Sequence, residues 1–528
     1  MMSFLRSLSP RRFLLLAGGL LLLPTLFRLF MIGRFDLGND EAHYFMYAAH
    51  PSASYYDHPL MVALLIRTGM ALAGWNAFGV RLFAPLLFLL STILLSMISI
   101  RLFPSRGMLT GSLLLINAVP LFGYLGSMLM LPDAPLSVFW LLHLLVATVL
   151  FSRYEELGAK ARFGGWLLLG ATFGLALLSK YNGVLLAAGT FLFLASSTRH
   201  RFLLLSPAPY LALGAGLVVA TPLFYWNATH GWASFAFQGN HGLGSFEWHF
   251  SWVPFYQMVF GQLGYVSPIL FVLLVYALWS FRKLTVPAPD GTEPVTLKLL
   301  WIFSLVPLLF FNAIGLLHPI LPHWPAMGYL TALPLLALLW VQPNRKRLSS
   351  WTWGGVLLGA ALALLTTLQL FFRPLVLPPS VPLWVDITND LFGFRQLAGV
   401  IRQEMARHPE RVTPHFFFAT EHFNTADLLA FYLDQPYHTI CLSHEITGFD
   451  FWTDPHRFVG ENGLFVSTDK YRVDPRTFYP PGTFDRVIPL KPFVVMRRGH
   501  PARIFYMDWL IGLHRIPFRT PPSKKGHS

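Results

Sequence analysis

The sequence predicts a mainly α polytopic membrane protein with about eleven transmembrane helices, followed by a small α/β domain outside the membrane. Three observations predict it. Hydrophobic residues make up 54% of the chain, charged ones only 12%, and mean hydropathy is +0.53, which lies outside the range of a soluble domain. Apolar runs of membrane-spanning length recur up to Phe372, and Lys and Arg punctuate them. After Arg373 the long apolar runs stop and proline and charge increase. The expected organisation is therefore a transmembrane domain, 1–373, and a second domain, 374–528.

Taken in order, the basic start (Arg6, Arg11, Arg12) leads into an apolar run without a clear small-residue cleavage site, which reads as a retained first span. Spans are expected near 13–33, 80–100, 107–130, 134–152, 164–179, 183–198, 202–225, 254–281, 298–317, 320–341 and 351–372. With the N-terminus inside, the inner loops carry Arg101 and Arg106, then Arg153, Lys160 and Arg162, then Arg199 and Arg201. Arg282, Lys283 and Lys298 follow, and last Arg345, Arg347 and Lys346. Each of these loops is basic, as the positive-inside rule requires. The same pattern accounts for the net charge of +14 without a nucleic-acid stripe. An odd number of spans leaves the C-terminal domain outside, which in a bacterium is the periplasmic side of the inner membrane. Within that domain Arg395 to Arg407 and Thr425 to Leu433 read as helices. His415–Ala419, Leu464–Ser467, Val487–Leu490, Phe493–Met496 and Arg503–Tyr506 read as short strands. The lone Cys441 excludes an intramolecular disulfide framework.

The outer side collects the ionisable groups. The first outer loop, 34–79, has room for one or two short helices and carries Asn39-Asp40-Glu41-Ala42-His43-Tyr44, then Tyr55-Tyr56-Asp57-His58-Pro59. One acid after Gly38 suits a helix start. Asp40 and Glu41 together, with Asp57 later in the same loop, point to a general base or a metal ligand. Arg81 opens the second span, where positive-inside logic disfavours a cation, and suits a phosphate clamp. Lys180 lies between two apolar segments too short to cross the membrane easily. It needs an anionic partner, either a ligand or an acid such as Asp133. His323, Glu247 and His249 form a loose set without a strong metal spacing; they are candidates for a divalent metal or an acceptor, or plain loop residues.

No Walker loop, dinucleotide fingerprint or nucleophile elbow is present, so no nucleotide cofactor is expected. The acid pair in a long first outer loop, Tyr55-Tyr56-Asp57-His58-Pro59 and Arg81-Leu82 resemble the C-type membrane glycosyltransferases. More narrowly they are similar to the branch holding protein O-mannosyltransferases and lipid A aminoarabinose transferases. Leu131-Pro132-Asp133-Ala134-Pro135 and Leu178-Ser179-Lys180-Tyr181 look like that branch's next landmarks. Trp226-Asn227, His323-Trp324-Pro325-Ala326 and Asp390-Leu391-Phe392-Gly393-Phe394 are similar to its bacterial members that decorate lipid A, lipopolysaccharide core or related glycolipids.

The resemblance implies a polyprenyl-phosphate sugar donor, inversion at the anomeric carbon, and a glycolipid or protein acceptor. It makes Asp40 the base, with Glu41 beside it, and gives Arg81 and Lys180 the donor phosphate. Tyr56, Asp57 and Asp133 become supporting residues. Aminoarabinose transferases carry Glu-Lys-Pro-Pro where this chain has Asp57-His58-Pro59-Leu60, so His58 stands where that branch has a phosphate-linked lysine. Three other activities fit a chain of this kind: protein O-glycosylation, surface-polysaccharide ligation, and transport or flipping of a lipid-linked sugar. A transporter would be expected to show pseudo-symmetric halves, and no repeat is visible.

Overall fold

A computed structural model describes residues 5, 7–243, 252–281, 295–342 and 346–518. The chain divides into two compact units. One comprises Met1–Ile32, Ala53–Leu65 and Arg81–Leu364; the other comprises Gly33–Ser52, Ile66–Val80 and Leu365–Ser528.

Six of the described helices are long and apolar enough to cross a membrane, or up to nine if each of three bent pairs is one span. Among them are α1 (Pro10–Met31), and, with the short α2 (Asn39–Ala49) between, α3 (Asp133–Ser152) and α4 (Ala159–Ser179). Sequence explains their ends. Ser9 caps α1 by accepting the Arg12 amide, and Pro10 fits the first helical position. The bent pairs break at 78° between Arg106–Ala118 and Leu121–Met128, at 58° between Ala208–Val219 and Thr221–Thr229, and at 105° between Trp252–Val266 and Pro268–Trp279. Prolines 120, 222 and 268 sit at the breaks. At the first, a π-helical turn, Leu121–Leu125, leaves the Gly123 carbonyl available to a side chain. Arg28, buried within α1, takes it up: its Nη2 donates to Gly123 O at 2.6 Å and to Asn117 Oδ1 at 2.7 Å, with Phe88 beneath the guanidinium at 4.4 Å. A lipid-embedded cation is thus satisfied entirely by protein.

Helix packing in this unit uses small residues. Gly170 and Gly174 of α4 face Ala212 and Gly216 of the Ala208–Val219 helix. A Cβ on Gly170 would stand 2.1 Å from Ala212 O, and one on Gly174 would stand 2.4 Å from Gly216 O. This is the close backbone approach that small-xxx-small spacing permits in lipid.

The second unit is α/β. Between α5 (Phe394–Arg407), α6 (Phe423–Leu433) and the rest runs one six-stranded sheet, ordered β2-β1-β3-β6-β4 with β5 also on β6. Its strands are β1 (Phe417–Thr420), β2 (Thr439–Cys441), β3 (Gly463–Thr468), β4 (Phe484–Pro489), β5 (Phe493–Arg497) and β6 (His500–Leu513). β1 pairs parallel with β2 and β3, and β6 pairs antiparallel with β3, β4 and β5. Two strand expectations are corrected. The short Thr439–Cys441 strand was not anticipated, and β6 runs far past Tyr506, because it serves three neighbours. The expected helices appear as α5 and α6.

The tight β5–β6 turn is anchored by arginine. Arg497 donates to Thr388 Oγ1 at 2.9 Å, to Asn389 Oδ1 at 2.8 Å and to the Leu370 carbonyl at 2.7 Å. The last of these is an end carbonyl of the Lys346–Phe372 helix, which a cation satisfies well. Within residues 34–79, α2 and the helix Met61–Ala73 are the two short helices that the length of this segment allowed.

Candidate active site

Gly38 ends an extended approach to α2, and Asn39, Asp40 and Glu41 form its first turn. The two acids part company here. Glu41 is buried and turns back to accept the Gly38 amide at 2.9 Å, completing a capping arrangement. Asp40 is exposed at the positive end of the helix. One carboxylate therefore serves the fold, and the other is presented.

The next turns of α2 bury a polar chain that sequence reading did not single out. His43 Nδ1 lies 2.9 Å from Asp427 Oδ2 on α6, and Tyr47 Oη lies 3.2 Å from His43 Nε2. His43 is 5% exposed and Asp427 0%. A neutral His43 that donates from Nδ1 to the carboxylate accepts from Tyr47 at Nε2, so one tautomer satisfies both bonds. Phe423 and Trp452 pack on the imidazole, at centroid separations of 5.3 and 5.8 Å. The signal in the sequence was a single acid inside the apolar run of Thr425 to Leu433, a costly placement unless it is paired.

In the other unit, Lys180 ends α4 and Asp133 begins α3. Nζ of Lys180 donates to both carboxylate oxygens of Asp133, at 2.9 and 2.8 Å, with side-chain exposures of 9% and 23%. The ion pair weighed against a ligand role is thus formed. His323 and His58 are close enough to act electrostatically on Asp133, so four of the predicted residues share one neighbourhood. Tyr265 flanks His323.

The Tyr55–Pro59 stretch lies alongside. Tyr56 packs on Phe237 at 4.7 Å, and the Asp57 carbonyl accepts from Gln238. Asp57 also acts electrostatically on Tyr181, the neighbour of Lys180, and the Tyr181 hydroxyl bonds Ser234. Arg81 is fully buried and donates from Nη1 to the Ile32 carbonyl at 2.7 Å, an end carbonyl of α1.

Asp40 and Glu41 belong to the second unit; Tyr56, Asp57, His58, Arg81, Asp133, Lys180 and His323 belong to the first. Glu247 and His249 lie outside the described residues. Among the described residues, no three His, Cys, Asp or Glu side chains gather as a metal ion would require.

Comparison with known proteins bears on what this arrangement does. Residues 57–226 match the family model of the dolichyl-phosphate-mannose-protein mannosyltransferases. The chain is 26% identical over 363 residues to the lipid A galacturonosyltransferase RgtD of Rhizobium johnstonii, covering 65% of this chain and 68% of that protein. The crystal structure of ArnT from Cupriavidus metallidurans bound to undecaprenyl phosphate superposes with a TM-score of 0.58 at 17% identity, covering 94% of this chain and 98% of that one. Its apo form gives a TM-score of 0.55. The ArnT superposition, at 94% of this chain, spans both the helical unit and the sheet-bearing unit. The family match and the RgtD relative support a lipid-linked-sugar glycosyltransferase similar to the ArnT- and protein-mannosyltransferase-like proteins, and the superposition gives the chain the fold of ArnT.

Proposed function

We propose that the protein moves a sugar, with inversion, from a polyprenyl-phosphate donor to a glycolipid on the periplasmic face of a bacterial inner membrane, the acceptor being lipid A or lipopolysaccharide core. Counting the six long helices, the three bent pairs and the apolar helices Tyr181–Ser196 and Ala326–Val341 as crossings gives eleven spans. An inside N-terminus then puts residues 374–528 outside, as a periplasmic domain. Lipid A in the name of RgtD and the undecaprenyl phosphate bound to ArnT support the acceptor and the lipid carrier of the reaction.

The observation that carries the reading is the division of labour between the paired acids Asp40 and Glu41. Asp40 is presented while Glu41 is committed to its helix. Asp40 takes the proton of the acceptor hydroxyl as that oxygen attacks the anomeric carbon. The bond from that carbon to the donor phosphate breaks, and negative charge grows on the departing polyprenyl phosphate. We assign the stabilisation of that charge to Lys180, which is paired with Asp133 and has His58 in its neighbourhood. Arg81 fixes the end of α1. Mass spectrometry of lipid A and core oligosaccharide from cells with and without the protein tests the proposal. Loss of one sugar mass is expected; unchanged glycolipids together with a lost protein O-glycan would instead favour the protein-acceptor reading that the family model suggests.

A further inference from the structure

Beside the segment that leads into α2 lies an open cavity of about 500 Å³, lined by Trp75, Phe78, Arg395, Arg402, Tyr432 and Asp434 among others. Arg395 and Arg402 are seven residues apart on α5 and so project from one face of it. Both are exposed; the Arg395 side chain keeps 61% of its surface. Neither is strongly neutralised. Arg395 Nε stands 3.6 Å from Asp36 Oδ1, and Arg402 Nη2 donates to the Tyr432 carbonyl at 2.8 Å. Asp434 is the other acid on the rim, and it is exposed. Trp75, 44% exposed, offers an indole face of the kind on which a sugar ring stacks.

The cavity is tied to the proposed base. The Tyr432 hydroxyl accepts the Leu37 amide at 2.7 Å, and Asp36 accepts the Arg395 amide at 3.3 Å. Asp40 follows Asp36 by four residues, a reach of at most about 14 Å. That is the length of one or two sugar units.

Resting on the glycolipid-acceptor reading, we propose that this cavity is the acceptor's anionic subsite: Arg395 and Arg402 hold a phosphate on the sugar headgroup of the acceptor glycolipid, while Trp75 packs on a neighbouring ring. Guanidinium groups suit this role because they pair with phosphate through two parallel hydrogen bonds. Such contacts position the acceptor and do not enter the chemistry.

Full-length protein in nanodiscs tests this with bis-phosphorylated lipid A, the same lipid after phosphatase treatment, and inorganic phosphate as probes. Wild type should bind the phosphorylated lipid roughly tenfold or more tightly than the dephosphorylated one. The doubly substituted R395Q/R402Q should bind both within about twofold of each other. Equal binding of both lipids by wild type, or retained discrimination by R395Q/R402Q, overturns the subsite. Inorganic phosphate binding as tightly as the lipid would overturn the headgroup assignment in favour of a free anion. The Asp40→Asn variant separates this from the parent reading: transfer by D40N in cells sinks the catalytic assignment, whereas an inactive D40N with unchanged discrimination in R395Q/R402Q sinks only the subsite.

Discussion

Lys180 and Asp133 are two charges removed from most of the solvent and joined by two hydrogen bonds. Removing one partner strands the other, at a cost of about 3–5 kcal/mol. Lys180→Met should therefore lower both thermal stability and activity. Adding Asp133→Asn to it should restore the melting temperature without restoring transfer; recovered transfer would show that the lysine only balances the aspartate. Glu41 makes the opposite case. Glu41→Gln keeps an acceptor for the Gly38 amide, so folding and turnover should change little, whereas Asp40→Asn should abolish turnover. Local pattern alone marked both acids without ranking them, because a capping carboxylate and a presented one look identical until the helix start is fixed; only the family resemblance singled out Asp40 as the base. His422 adds a dependence on pH. Its Nδ1 accepts the Asn424 amide at 3.3 Å, so it caps α6 only while neutral, and burial followed by the Lys470 ammonium holds its pKa down to about 4. The unfolded imidazole titrates at 6.5. Protonation therefore favours the unfolded chain, and the stability this cap supplies is present above pH 6.5 and lost as pH falls toward 4. His422→Asn keeps an N-cap acceptor that does not titrate, and melting curves across that range should show a shallower acid loss.

At the scale of elements, α2 is held from behind by the Asp427–His43–Tyr47 chain. Asp427→Ala leaves His43 without its acceptor and should destabilise the protein by about 1–3 kcal/mol. Because α2 carries Asp40, turnover should fall while the Michaelis constant for the donor stays put. Asp427→Asn, which still accepts from Nδ1, should recover most of that loss; equal damage from both substitutions would contradict the chain's role in placing α2. The α4 packing gives a second element-scale expectation. Gly174→Leu would drive a side chain into the Gly216 carbonyl and the Val219 side chain, and should lower the melting temperature in detergent markedly. Elements differed in how plainly the sequence showed them. Each expected apolar segment is helical, since a long apolar run announces itself over a wide window, but three of them, near 107–130, 202–225 and 254–281, are sharply bent helix pairs rather than single helices. The three residues of β2 carry too little pattern to register, and they form a strand because β1 supplies a parallel partner. Arg28 lay within the first expected span and is legible only through Gly123 and Asn117, which the chain brings up from far away.

For the whole molecule, the polar clusters were readable, and their partners only in part. Lys180 demanded an anion and Asp133 was the anion at hand. Asp427 gave no such hint, because nothing local shows that α6 packs on α2. Glycosyltransferase identity rests on agreement between motif, family match and fold, none of which depends on one contact. The proposed transfer depends on the carboxylate of Asp40. A strain lacking the protein should be complemented in parallel by wild type and by Asp40→Asn, with membrane levels equalised, and its lipid A and core analysed by mass spectrometry. The account predicts that wild type restores one sugar mass to the glycolipid and that Asp40→Asn, present in equal amount, restores none. Full restoration by Asp40→Asn would contradict it.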